Sequence, residues 1–305
     1  MTRVLALAIV GAAVVLARPH VARAQACCAG STAVTPGRLA LHEDALVGVD
    51  VHAADAYGSF DPTGTFVSTP SGASELDFEE DVFAALRLFS RGQAALLVPL
   101  VETRRTTPTD AELGGGLGDI NASVRYDFIY ANEARRVPGI AVLAGITFPT
   151  GTPPESATKP LATDATGVGT YQGNLGVALE KSIGPWLVGV TGLVAKRATR
   201  TSQGVTEALA AQWTVLAVAA YTFPSEASVA VSGSFTAEGD ATIDGALQPD
   251  TRRRLVAFSA SGVLPVSDRV RLQGALTFDP PANSFGVNQP APGFGGTLTA
   301  IYAWL

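Results

Sequence analysis

Cysteine is nearly missing from this 305-residue chain: Cys27 and Cys28 are the only two, and they are neighbours. A bridge between adjacent cysteines closes almost no loop, so the fold does not depend on disulfides. No CxxC spacing is present to hold zinc or run thiol exchange, and no cofactor or metal is expected. Histidine is scarce as well, with only His42 and His52 beyond residue 26. Charged residues make up 16% of the chain and leave a net charge of −6, which excludes a nucleic-acid partner. Long apolar runs are missing too. A helical membrane protein needs several stretches of about 18 or more, and only the N-terminus comes near.

That N-terminus reads as an export signal. Arg3 provides a short positive lead, Val4 to Ala17 are almost wholly apolar, and residues 18–26 are polar or small, with Ala22-Arg23-Ala24 and Ala24-Gln25-Ala26 as cleavage sites. Cleavage starts the mature chain at Gln25 or Cys27, and loss of Arg3, Arg18 and Arg23 takes the net charge from −6 to −9. Lipidation of Cys27 is the alternative use of this segment, although Ala24 and Gln25 fit a lipoprotein signal poorly. The resulting division is a signal peptide over 1–26, a short periplasmic segment or plug over 27–38, and one domain over 39–305.

Glycine, by contrast, is abundant at 32 residues, and apolar side chains recur with a period of two. Ala45, Val47, Val49 and Val51 alternate with Leu46, Gly48, Asp50 and His52; Ile120, Ala122, Val124, Tyr126 and Phe128 alternate with Asn121, Ser123, Arg125 and Asp127. Such alternation makes strands with one apolar and one polar face. About a dozen follow, near 39–53, 75–90, 93–105, 118–131, 138–149, 167–182, 186–198, 205–222, 226–238, 252–264, 268–279 and 294–305. Each suffices for the ~9–11 residues that a tilted strand needs to cross a bilayer. Tight turns such as Ser90-Arg91-Gly92 and Ile183-Gly184-Pro185 alternate with longer polar stretches at 54–74, 106–117, 150–166, 199–204, 239–251 and 280–293. Short and long connections in turn are the organisation of an outer-membrane barrel. The expected fold is all-β: a transmembrane antiparallel up-and-down β-barrel of about 12 strands behind a signal peptide. Its partners are outer-membrane lipid, the barrel-assembly machinery during biogenesis, and a small solute.

One stretch invites a different reading. Gly114-Gly-Gly-Leu-Gly118-Asp119 could open a phosphate-binding loop, but that needs a helix behind the glycines. The strict period of two from Ile120 rules the helix out, because residues two apart on a helix point about 200° apart. The glycines are therefore expected in an outer loop, supplying positive φ where a strand re-enters the membrane.

On the inward parity the pattern places Asp50, Asp77, Glu79, Asp81, Asn121, Arg125, Asp127, Glu180, Arg253, Arg269 and Arg271 as lumen-facing polar residues. Charges of both signs inside a barrel are expected to pair. The Asp77-x-Glu79-x-Asp81 run would form a solvated acidic rim or attract cations at the mouth. No catalytic residue is assigned. An outer-wall enzyme of phospholipase type would have to use His52, with Asp50 on the same face and Ser59 beyond. A structural or adhesive barrel using loops 54–74 and 150–166 is the third class.

Gly116-Leu-Gly-Asp119-Ile, Arg125-Tyr-Asp127, Phe148-Pro-Thr-Gly151 and the Cys27-Cys28-Ala-Gly30 start resemble the outer-membrane barrel family named for the MetA-pathway of phenol degradation. The resemblance implies an outer-membrane transporter passing small hydrophobic or aromatic compounds.

Overall fold

The computed structural model describes residues 38–60, 65–202, 204–280 and 293–305. The signal peptide, Cys27 and nearly all of the 27–38 segment lie outside these residues. Twelve staves form the wall: β1 (Ala45–Ala56), β2 (Ser74–Phe89), β3 (Gly92–Thr106), β4 (Ala111–Leu117 continued by Ile120–Ile129), β5 (Gly139–Phe148), β6 (Gln172–Ile183), β7 (Trp186–Arg197), β8 (Gln212–Thr222), β9 (Ser228–Glu238), β10 (Arg253–Pro265), β11 (Val270–Phe278) and β12 (Gly293–Trp304). Each pairs antiparallel with its sequence neighbours, and β1 pairs with β12, with Val47 opposite Tyr302, so the sheet closes. Closure leaves no edge, which is the only way for strands to satisfy their backbone groups in lipid. The fold is an all-β, closed, twelve-stranded up-and-down barrel, as the alternation and turn spacing predict.

Val49, Val51, Leu96, Val124, Val177, Val190 and Leu298 are exposed, although they are apolar. In water such a surface would be an aggregation site; around a closed barrel it is the lipid belt. Aromatic pairs mark both rims of the belt. Trp186 stacks edge-on against Tyr221, and Tyr302 against Trp304, at the end that carries the tight turns. Trp213 lies eight residues from Tyr221 on β8, about 26 Å along the strand and about 20 Å along the membrane normal at a tilt of about 40°, within an apolar band of about 25 Å. The tight-turn end is the periplasmic one in outer-membrane barrels. There Arg91 grips Glu133 through two hydrogen bonds of 2.9 and 2.8 Å and holds its carboxyl down at about 2.

Four sequence boundaries shift. Residues 39–44 are not strand, and β1 begins at Ala45. Residues 167–171 belong to the loop before β6. Val205–Ala208 leaves β8 and joins Arg200–Ser202, Thr242–Ile243 and Ala246–Leu247 in a small sheet above the barrel. The largest difference is at 106–117. Ala111–Leu117 is strand, paired with β3 from Thr106 opposite Ala111 to Leu100 opposite Leu117, and the loop is only 107–110.

None of Gly114, Gly115, Gly116 or Gly118 has positive φ. Their work is steric. A Cβ on Gly114 would lie 2.4 Å from the Thr163 hydroxyl, and one on Gly115 2.3 Å from the Val101 carbonyl. Between Leu117 and Asn121 the stave advances four residues while its partner advances three, from Leu100 to Leu97. Gly118-Asp119 is therefore a β-bulge, and it flips the parity of β4: Gly114 and Gly116 face the lumen above it, Ser123 and Arg125 below it.

Candidate functional site

The pairing register fixes which side chains face inward. On β1 and β2 the inward row brings Asp50 opposite Asp81, His52 opposite Glu79, and Gly48 opposite Phe83. Thr299 donates to Asp50 at 2.6 Å and Thr103 to Asp77 at 2.8 Å, while His52 Nδ1 meets the Thr297 hydroxyl at 2.9 Å. The Asp77-x-Glu79-x-Asp81 run is thus no rim: it descends the inner wall from the outer mouth to mid-height. His52 and Asp50 each bond to a threonine of β12, and Ser59 lies on a separate hairpin, Gly58–Phe60 paired with Phe66–Ser68. Among the described residues, no group of three His, Cys, Asp or Glu is arranged to hold a metal.

Around the same height the wall is apolar. Phe83 pairs with Leu97, and Leu143, Gly176 and Leu193 follow one another across β5, β6 and β7. Two glycines shape this collar. A Cβ on Gly48 would lie 2.3 Å from the Phe83 ring, and one on Gly176 2.3 Å from Leu193. Each glycine is a niche in which the larger side chain lies flat against the wall.

Near the periplasmic end, Arg125 is 4% exposed, donates to Asp127 at 2.7 Å and reaches Glu180 at 3.1 Å. Arg38, from outside the barrel strands, enters this cluster and donates to Glu180 at 2.7 Å. The chain from Arg38 to Asp44 then crosses the mouth inside the wall. Leu39 N–H donates to the Gln93 side chain at 3.2 Å, and Arg87 donates to the Ala40 and Glu43 carbonyls at 2.5 and 2.9 Å. Glu43 is 2% exposed and accepts from Arg271 and, at 2.7 Å, from its own Ala40 N–H. A cavity of about 1000 Å³ surrounds this segment, bounded by Arg38, Gln93, Asp127, Ser182, Thr222 and Arg271. Sequence reasoning missed this inner segment. The signal was there, since Leu41-His-Glu-Asp44 breaks the period of two that starts at Ala45.

Toward the outer end, Arg197 stands on β7, six staves from β1, and so faces the acidic row across the bore. It lies 3.6 Å from Glu238, which also faces Arg253 at 3.9 Å. Asn121 donates to Thr147 on the neighbouring stave at 2.9 Å. Arg269 departs from its expected place: it sits exposed in the turn before β11 and donates toward the hydroxyl of the lipid-facing Tyr302 at 3.4 Å. Parity alone put it inside, but the chain turns before reaching it, so the alternation no longer applies.

The two glycine motifs meet in space. Asp119 accepts from Gly151 N–H at 2.9 Å and from Val168 N–H at 2.7 Å. The Thr150 hydroxyl donates to the Gly118 carbonyl at 2.6 Å and accepts from Ile120 N–H at 3.0 Å. Thr150 thus satisfies the backbone groups that the bulge removes from the ladder. Beyond it, Leu161 and Ala162 give their carbonyls to Arg105, Leu161 N–H donates to Glu112 at 2.7 Å, and Thr163 is completely buried against Gly114. Arg105, Glu112 and Gly114 all belong to the inward row, so the loop between β5 and β6 folds into the outer mouth.

Residues 31–286 match the family described as "Putative MetA-pathway of phenol degradation". A search of curated proteins gives no match. Among solved structures, the chain is similar to an outer membrane channel from Pseudomonas putida F1, with a TM-score of 0.71 and 18% identity over 87% of this chain and 97% of that one. It also matches the transport unit of the autotransporter AIDA-I from Escherichia coli, with a TM-score of 0.46 and 8% identity over 90% of this chain and 96% of that one. The first likeness establishes the fold.

Proposed function

We propose that this chain, which belongs to the MetA-pathway of phenol degradation family, is an outer-membrane channel for the passive passage of small solutes. The observation that carries this is the lining of β9, β10 and β11. Over the middle of these staves the inward side chains are short: Ser232, Ser234, Ala257, Ser259, Ser261 and Ala275, several only half-buried. Eight-stranded barrels are filled by their side chains; twelve staves with small residues at mid-height on three of them support an open bore. The Pseudomonas putida F1 neighbour being a channel supports the same reading.

The apolar collar of Phe83, Leu97, Leu143 and Leu193 between polar mouths favours solutes with an apolar or aromatic body and a polar edge, in keeping with the family's name. Burial of such a body against the collar offsets dehydration, while hydroxyls on β9 and β10 replace water at its polar edge. The enzyme reading has weaker support, since His52 and Asp50 spend their hydrogen bonds on Thr297 and Thr299.

Purified protein in planar bilayers should conduct ions, and liposomes containing it should take up a small phenolic faster than a sugar of equal size. A folded barrel that conducts nothing and passes neither solute would remove the channel reading. The collar makes a sharper prediction. Gly48→Val fills the niche under Phe83 and drives the ring into the bore, so single-channel conductance should fall by half or more. Gly48→Ala should fall less, and heat-modifiable migration should remain normal in both.

A further inference from the structure

We propose that residues 150–168 form the size filter of the channel, and that Asp119 and Thr150 are the positioning residues that fix its aperture. This rests on the channel reading. The loop is pinned at its root, along its length and at its far side. At the root, Asp119 uses both carboxylate oxygens, one on Gly151 and one on Val168, which lie at the two ends of the loop. One side chain on the wall therefore closes the loop on itself. Gly151 and Gly167 pass so close that a Cβ on Gly167 would lie 2.8 Å from Gly151 Cα, and 2.4 Å from Asp119 itself. This neck admits only glycine.

Along its length the loop runs against the inward face of β3 and β4, tied by Arg105, Glu112 and the buried Thr163. The glycines of β4 make this approach possible, because any side chain at Gly114 would occupy the place of Thr163. Internally, Asp164 accepts from the backbone and hydroxyl of Thr158 at 2.8 and 2.7 Å, bonds that keep its carboxyl ionised down to about 2.

At the far side, Arg200 on the small upper sheet donates to the Val168 carbonyl at 2.8 Å and pairs with Glu155 at 3.0 Å and Glu207 at 2.7 Å. Arg200 thus joins the loop to the β7–β10 side of the mouth. A loop held mainly by hydrogen bonds to its backbone, from three sides, is a fixed ledge and not a mobile surface loop. It stands above the collar, so a solute entering from outside meets it first.

The test is the size cutoff of proteoliposomes for a series of neutral sugars, from a monosaccharide to a tetrasaccharide. Asp119→Ala and Thr150→Val should each raise uptake of the larger sugars several-fold with little change for the smallest, and Asp119→Asn, which keeps one acceptor, should fall between. A variant with residues 155–165 replaced by a short Gly/Ser linker should show the largest shift. It leaves the wall intact, so the test survives if Asp119→Ala fails to fold. A wild type that conducts with the same cutoff as every variant overturns the filter and leaves the channel standing. Wild type and variants that pass no sugar, no phenolic and no ions remove both.

Discussion

Replacing Glu43 by alanine should raise single-channel conductance several-fold. The segment from Arg38 to Asp44 crosses the periplasmic mouth inside the wall and narrows it, and Glu43 ties the segment both to the wall and to itself. Its buried carboxylate takes hydrogen bonds from Arg271 on the wall and from Ala40 within the segment. Removing it leaves a buried guanidinium without its carboxylate, and breaking a buried pair in this way costs about 3–5 kcal/mol. The segment's apolar burial is small, roughly 2–3 kcal/mol from Leu39 and Ala40, and its other holds are the Arg38–Glu180 pair and the hydrogen bonds from Arg87 and to Gln93. The loss exceeds the segment's apolar burial, so its Ala40–Asp44 end should come away from the wall and widen the mouth while Arg38 keeps its hold on Glu180. Glu43→Gln keeps an acceptor and should give a smaller rise. An unchanged conductance in Glu43→Ala, with the barrel folded, would show that the segment does not control flow.

Arg125→Ala should have the largest effect on stability. Arg125 stands between Asp127 and Glu180, and Arg38 reaches the same two carboxylates, at 3.9 and 2.7 Å. The cluster balances two guanidinium groups against two carboxylates. Removing Arg125 leaves one net negative charge in a nearly dry layer, again about 3–5 kcal/mol, and the unfolding midpoint in urea should fall accordingly. Arg125→Lys keeps the charge but loses the two-pronged grip on Asp127, so it should lie between. Because Arg38 belongs to the inner segment, Arg125→Ala should also loosen that segment and raise conductance. Arg125→Ala with an unchanged midpoint would mean that water already reaches this layer.

The inner segment also shows where alternation stops being informative. From Ala45 to Ala56 the period of two can be read without a structure, because a closed barrel has lipid on one side and its lumen on the other, and each residue must choose. Residues 39–44 obey neither solvent. Their places are set by partners far away in sequence, Gln93 and Arg271, and no local pattern encodes those contacts. Arg269 fails for a related reason: it shares parity with Arg271 but lies in the turn before β11, where the sheet no longer dictates direction.

The Gly114 to Asp119 stretch separates the two kinds of information. By itself the sequence determined that this is a strand approach and not a nucleotide loop, that about a dozen such strands close in pairs, and that lipid covers their apolar faces. Periodicity suffices for this because each strand needs only its own two environments. Only the tertiary structure decided why the glycines are there. Gly114 leaves room for Thr163 and Gly115 for the Val101 carbonyl, and Asp119 gathers both ends of a loop that lies 32 and 49 residues ahead in the chain. Steric room and hydrogen-bond partners across such distances exist only once the wall has closed.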